Sequence, residues 1–279
     1  LGNHNFNRND CVISIGGGIA GDICAFAASI YKRGIKFVNI PSTLLSQVDS
    51  SIGGKTGVNN FLGKNMIGTY CQPNVVIIDI NFLKSLPKRE MICGYGEILK
   101  HSLIDDKKFF NFLNKNFNKI LKLSSPHIEK AIYESCKIKK IVVEKDEKEK
   151  GLRKILNFGH TFAHAYEASL GYDKKLNHGE AVILGIKTAL NFSLKYSFLK
   201  KKEYELIVNH INDAGLPSSL NKFFSLKDLN KILSFMTKDK KNISSKINLI
   251  LLKKIGSPIH HKEYTKKNIF LFLKNYLRN

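Results

Sequence analysis

The chain has 279 residues and a formal net charge of +22, carried by 45 Lys and Arg against 23 Asp and Glu. That length buries a sizeable core and suits two domains, and no apolar run reaches the roughly 18 residues a membrane helix needs. Five scattered cysteines without CxxC or finger spacing suit reduced thiols in a cytoplasmic compartment, and the lysine excess comes with neither a nucleic-acid motif nor interleaved aromatics, so nucleic acid is not an expected partner.

The first ten residues are polar, start with Leu1, and carry no signal peptide. A strand-like run follows almost at once, and an N-terminal part is expected to be missing. Val12 to Ile15 predicts a short buried strand. Gly16-Gly17-Gly18 ends it, and Ile19 to Tyr31 predicts an Ala-rich helix. With Gly21 the glycines satisfy GxGxxG between a strand and a helix, the context that places a pyrophosphate at a helix N-terminus. The next strand is Ile35 to Ile40. A Rossmann unit wants an acid roughly 20 residues on for the ribose, but none occurs between Asp22 and Asp49.

Pro41-Ser42-Thr43 leads to Asp49 through Asn59, a Gly-rich stretch with Asp, Lys and Asn that reads as a polar site lining. Gly53-Gly54-Lys55-Thr56 is not a P-loop tail, because Asp49 stands where its first glycine belongs. Gly63-Lys64-Asn65 is a second basic corner, and Val75 to Ile78 predicts a third buried strand.

From Phe82 strand signals thin out. Helices are predicted over Arg89 to Ile104, Lys107 to Leu123, Ile128 to Glu144, Ile155 to Ser169, Glu180 to Leu199, Lys202 to Ala214, Leu226 to Phe235 and Lys262 to Tyr276, with one strand over Ile247 to Leu252. The fold class is α/β: an N-terminally truncated Rossmann-like nucleotide-binding domain over 1–81, then a mostly α-helical metal-binding domain over 82–279.

Within the second part, His160 and His164 lie four apart on one helix face, and His178 opens the next helix-like run as His178-Gly179-Glu180. Imidazoles in this density predict a zinc-like centre that keeps a position open for water or substrate. By spacing alone His164 rivals the other two as a ligand.

Together these motifs resemble the 3-dehydroquinate synthase family of sugar-phosphate cyclases. The likeness runs through Gly16 to Asp22, Tyr31 to Gly34, Pro41 to Leu45, Val48 to Asn59, Gly63 to Asn65, Gly94 to Lys100, Asp146 to Arg153, Leu156 to Glu167, His178 to Glu180 and Asp239 to Lys241. It implies homodimers that use NAD and a zinc or cobalt ion, held by Glu97, His160 and His178, with His164 contacting substrate instead. It implies a cofactor lining of Gly17, Gly18, Ile19, Asp22, Ser42, Thr43, Leu45, Asp49, Ser50, Lys55, Lys64, Ser85 and Leu86. Catalytic roles fall by the same likeness to Asp49, Lys55, Lys100, Glu149, Arg153, Asn157 and His164. Substrate contacts fall to Lys64, Asn65, Lys139 and Lys241, with Arg33 reaching the substrate phosphate of the neighbouring subunit. The implied substrate is 3-deoxy-arabino-heptulosonate 7-phosphate. The implied reaction eliminates phosphate, closes a carbon ring and leaves NAD as it began. Valiolone- and inosose-type cyclases and an inactive remnant are the alternatives. Ser42 replaces the family's usual Thr, Ala163 replaces its Gly, and the family's opening strands, which include acidic ribose contacts, are absent here.

Overall fold

The computed structural model describes residues 1–60, 63–173, 175–238 and 246–278. The chain divides into two compact units, Leu1–Tyr95 with Lys119–Glu149, and Gly96–Asn118 with Lys150–Asn279. Neither unit is one continuous stretch, whereas the sequence reading set a single border at Asn81.

The first unit is built on a parallel sheet. Strand β1 (Cys11–Gly16) leads through α1 (Gly18–Ile30) to β2 (Lys36–Pro41), which pairs with β1 in parallel. Two further strands, β3 (Lys55–Asn60) and β4 (Gly63–Tyr70), form an antiparallel hairpin. The short β5 (Val75–Val76) then pairs with the other edge of β2, giving the order β1-β2-β5. Alanines let α1 lie close on the sheet, where Ala25 and Ala28 pack with Ile35 and Phe37. Ser29 on α1 bonds Thr69 of the hairpin, oxygen to oxygen at 2.8 Å. Helix α4 (His127–Lys145) joins this unit and packs on the π-helical turn Ser46–Ser50.

Two strands expected to be buried are covered on one face only. Ile13 and Ile15 are 59% and 62% exposed while Ser14 between them is buried. Val75 and Ile77 are likewise exposed. The strand period of two explains this: Phe37 and Asn39 turn inward with Ser14, and the alternate residues turn away. An unbroken apolar run does not tell one covered face from two.

The second unit takes α2 (Lys88–Asp105) from Gly96 onward and most of α3 (Lys107–Leu121). It continues with α5 (His160–Ser169), α6 (His178–Lys195), α7 (Lys201–Asp213) and α8 (Leu229–Lys238). Strands β6 (Lys246–Lys254) and β7 (Ser257–Thr265) form an antiparallel pair, followed by α9 (Lys266–Tyr276). Helix α6 is its apolar centre. Phe192 meets the rings of Tyr264 and Phe272 at centroid distances of 4.7 and 4.8 Å, and Ser193 Oγ accepts the Leu252 amide at 3.1 Å.

Three expectations need correction. The predicted helix Ile155 to Ser169 is a 3₁₀ turn, Leu152–Asn157, followed by α5, because Gly159 adopts a left-handed φ of 80°. The stretch read as a Gly-rich lining becomes β3 from Lys55 on. The last helix starts at Lys266, not Lys262; Thr265 caps it by accepting the Asn268 amide at 3.2 Å, and the residues before it form β7.

Candidate active site

In the first unit the glycine loop opens α1. Gly17 is the N-cap and offers no side chain, so the first-turn amides are left to water or a ligand. A Cβ at Gly17 would lie 3.3 Å from Thr43 Cγ2, and one at Gly18 would lie 3.1 Å from Ser50 Oγ. Four residues of the expected cofactor lining thus lie as two close pairs at the start of α1. The Ser42 amide donates to the Gly16 carbonyl at 2.8 Å, which ties the end of β2 to that loop. Leu45 enters the turn Ser46–Ser50, Ile19 stands exposed on the first turn of α1, and Ser85 and Leu86 end the 3₁₀ turn Ile80–Ser85.

Asp49 ends up in a charged cluster. Lys139 on α4 donates to its carboxylate at 2.7 Å and its carbonyl at 2.6 Å. Asp22 is near enough to feel both groups. Burial first, then the Asp49 charge, raises its carboxyl to about 6 against the pull of Lys139. Lys55 pairs with Glu149, whose backbone is left-handed at a φ of 57°. Arg33 is exposed beside Lys32, at φ of 67° and 47°, just before Gly34 at 116°.

In the second unit the histidines converge. His160 and His178 are the first residues of α5 and α6. His160 Nε2 lies 3.4 Å from Glu97 Oε1, and His178 Nε2 lies 3.9 Å from the same oxygen. Ligands at zinc distances and tetrahedral angles sit about 3.4 Å apart, so these atoms fit one ion with little movement. Each ring's other nitrogen faces an outer partner: the Phe158 carbonyl at 3.3 Å from His160 Nδ1, and Glu167 Oε2 at 3.0 Å from His178 Nδ1.

The charge states suit ligation. Burial alone would raise the Glu97 carboxyl, but the Lys100 ammonium paired with it, helped by His160, holds it well below the usual carboxylate value. Burial and Lys100 lower His160 against the opposing pull of Glu97, favouring a neutral imidazole. His178 is one third exposed, leaving the cluster an accessible side.

His164 stands beside this cluster without joining it. Its ring is 5.3 Å from that of His160 and 6.2 Å from that of His178, whereas Glu97, His160 and His178 bring one ligand atom each into mutual proximity. Arg153 is buried in the 3₁₀ turn Leu152–Asn157, which Asn157 ends. The backbone of Lys64 and Asn65 belongs to β4, but their side chains lie outside the description, and Lys241 lies outside the described residues. Sequence reasoning passed over Glu167. The available signal was its place seven residues, two turns, after His160. It also left Glu180 among the site motifs, whereas Glu180 closes a capping box with Asn177.

Two family models cover most of the chain: "3-dehydroquinate synthase N-terminal" matches residues 1–93 and "3-dehydroquinate synthase C-terminal" residues 94–242. The chain belongs to the 3-dehydroquinate synthase family. Curated 3-dehydroquinate synthases agree with it. The protein of Pelagibacter ubique is 68% identical over 98% of this chain and 74% of its own length. That of Alkaliphilus metalliredigens is 45% identical over 97% of this chain and 74% of its own length. Among solved structures, a 2-epi-5-epi-valiolone synthase from Streptomyces hygroscopicus with NAD+ and Zn2+ bound superposes at a TM-score of 0.87 and 25% identity, covering 99% of this chain and 76% of that one. A 2-deoxy-scyllo-inosose synthase complexed with carbaglucose-6-phosphate, NAD+ and Co2+ gives 0.88 and 26%, covering 98% and 76%. The 3-dehydroquinate synthase family is therefore favoured over its valiolone and inosose cousins by sequence, while all share the fold.

Proposed function

We propose that the chain converts 3-deoxy-arabino-heptulosonate 7-phosphate to 3-dehydroquinate and phosphate, a carbon–oxygen lyase step of the shikimate pathway toward chorismate and the aromatic amino acids. The observation that carries this reading is the convergence of two imidazole nitrogens on Glu97 in a chain 68% identical to a curated 3-dehydroquinate synthase. The neighbours holding NAD+ with Zn2+ or Co2+ support NAD and a divalent ion here. Glu97, His160 and His178 would hold the ion. Gly17, Gly18, Thr43 and Ser50, with Asp22, would take NAD. When bound, NAD supplies a reversible hydride acceptor and the ion supplies a Lewis acid.

The chain's own residues would bind, orient and neutralise. The buried Arg153 guanidinium suits the substrate's carboxylate or phosphate bidentately. Lys100, fixed beside Glu97, adds a second cation that cannot swing away. Lys55, Lys64, Lys139 and Lys241 would neutralise charge that develops on the departing phosphate. Glu149 holds Lys55, and Asp49 holds Lys139. Asn65 and Asn157 would orient hydroxyls. His164, exposed beside the histidine pair, is placed to hold or pass a proton. Once phosphate has left, orientation of the open chain supplies much of the rate of ring closure.

The working form would be a cytoplasmic homodimer in which Arg33 reaches the partner's substrate phosphate. The exposed left-handed turn at Lys32 and Arg33 supports such an outward role. Among the described residues no helix is long and apolar enough to cross a membrane.

The ligand set is tested by metal content. His178→Ala should purify folded with little or no bound zinc or cobalt, while the parent chain binds one equivalent. A stoichiometric ion in the variant would overturn the ligand assignment.

A further inference from the structure

We propose that Glu167 is the positioning residue of the metal centre: its carboxylate accepts the His178 Nδ1–H and so fixes the ring form that presents Nε2 to the ion. The inference rests on the ligand set proposed above and extends it to a residue outside that set.

The geometry separates the two faces of the His178 ring. Nε2 points to Glu97 Oε1 at 3.9 Å, and Nδ1 points to Glu167 Oε2 at 3.0 Å. A neutral imidazole carries its proton on one nitrogen only. A carboxylate oxygen held 3.0 Å from Nδ1 accepts the proton carried there and leaves the Nε2 lone pair for a metal. Glu167 is only 5% exposed. A carboxylate buried so far is costly without a strong donor, and His178 supplies one.

The two imidazoles are not supported alike. His160 is the less exposed ring, its side chain 12% accessible, and the Phe158 carbonyl at 3.3 Å is its outer partner. His178 is 33% accessible, so packing restrains it less. The more exposed ring makes the shorter bond, and to a carboxylate rather than a carbonyl. Helix geometry makes this possible. His160 starts α5 and Glu167 follows on the same face two turns later, so one helix offers a ligand at its start and the anchor for the other ligand near its end. The bond at 3.0 Å then locks the start of α6 onto α5 at the site.

The test uses zinc alone, titrated against a competing chelator into metal-free parent chain, Glu167→Gln and Glu167→Ala, with cobalt substitution followed by its visible absorption. Glu167→Ala should bind zinc about 10- to 100-fold more weakly, with an altered cobalt band. Glu167→Gln keeps an acceptor without the charge and should lose less. Thermal unfolding of metal-free Glu167→Gln should match that of the parent. Wild-type zinc affinity in both variants would overturn the proposal. So would a loss of affinity that merely tracks loss of the metal-free fold, or failure of both variants to fold, since each makes Glu167 a residue of the fold. If Glu167→Ala alone does not fold, Glu167→Gln decides. Failure of the underlying ligand set is distinguishable: the parent chain itself would then bind no stoichiometric zinc.

Discussion

Asp22 sits on the first turns of α1 among charges of both signs. Burial and Asp49 raise its carboxyl from 3.8 to about 6. The folded chain therefore keeps this proton at pH values where the unfolded chain has lost it, so Asp22 makes stability fall as pH rises from 3.8 to about 6. Asp22→Asn removes the charge. Its melting temperature should exceed the parent's at pH 7 and the gain should vanish near pH 4; a gain of equal size at both pH values would contradict the burial argument. At this scale the sequence was informative about identity more than geometry. The histidines, Glu97 and the lysines were visible, but spacing left His164 a rival ligand, since a face shared at i and i+4 does not say which nitrogen reaches the third ligand. Glu167 was hidden because an acid on an amphipathic helix reads as solvated until its partner on the next helix is known.

At the scale of elements, the grouping of Glu97, His160 and His178 depends on how closely α5 and α6 approach. A Cβ at Gly185 would lie 2.2 Å from the Gly159 carbonyl oxygen and 3.0 Å from the Ala163 amide. Gly159 needs its own freedom twice over, for a φ of 80° and for the Ile186 amide that a Cβ would meet at 2.7 Å. These small residues let two helices that both begin with a histidine bring His160 and His178 together. Gly185→Ala should push the helices apart, cost about 1–3 kcal/mol of stability by overpacking, and weaken zinc binding. Denaturant unfolding and a zinc titration check both effects; unchanged values in both would show that the close approach is not needed. The helices were legible from their apolar period and the glycine loop from its strand–helix context. The hairpin β3–β4 was not, because its Gly, Asn and Lys residues carry weak strand preference. Strand β7 was missed because its polar sequence pairs with β6 through the backbone.

At the scale of the molecule, contact structure divides the chain differently from its composition. The sequence border at Asn81 marks where strand signals thin, but packing returns α4 to the first unit, where Lys139 meets Asp49. Local patterns do not show such a return, because it is a long-range pairing of two segments 90 residues apart. Family membership came through motifs spread across both units, and it carries the proposed function: a cyclase whose NAD would be unchanged at the end of each cycle. That claim has a direct measurement. Phosphate release from 3-deoxy-arabino-heptulosonate 7-phosphate, with NAD and zinc or cobalt, should be followed together with absorbance at the NADH wavelength, on this chain and on the chain preceded by the family's opening strands. The account predicts phosphate formation that requires NAD and the ion, one phosphate per substrate, with no net NADH. No phosphate from either form, or NADH accumulating in step with substrate, would contradict it.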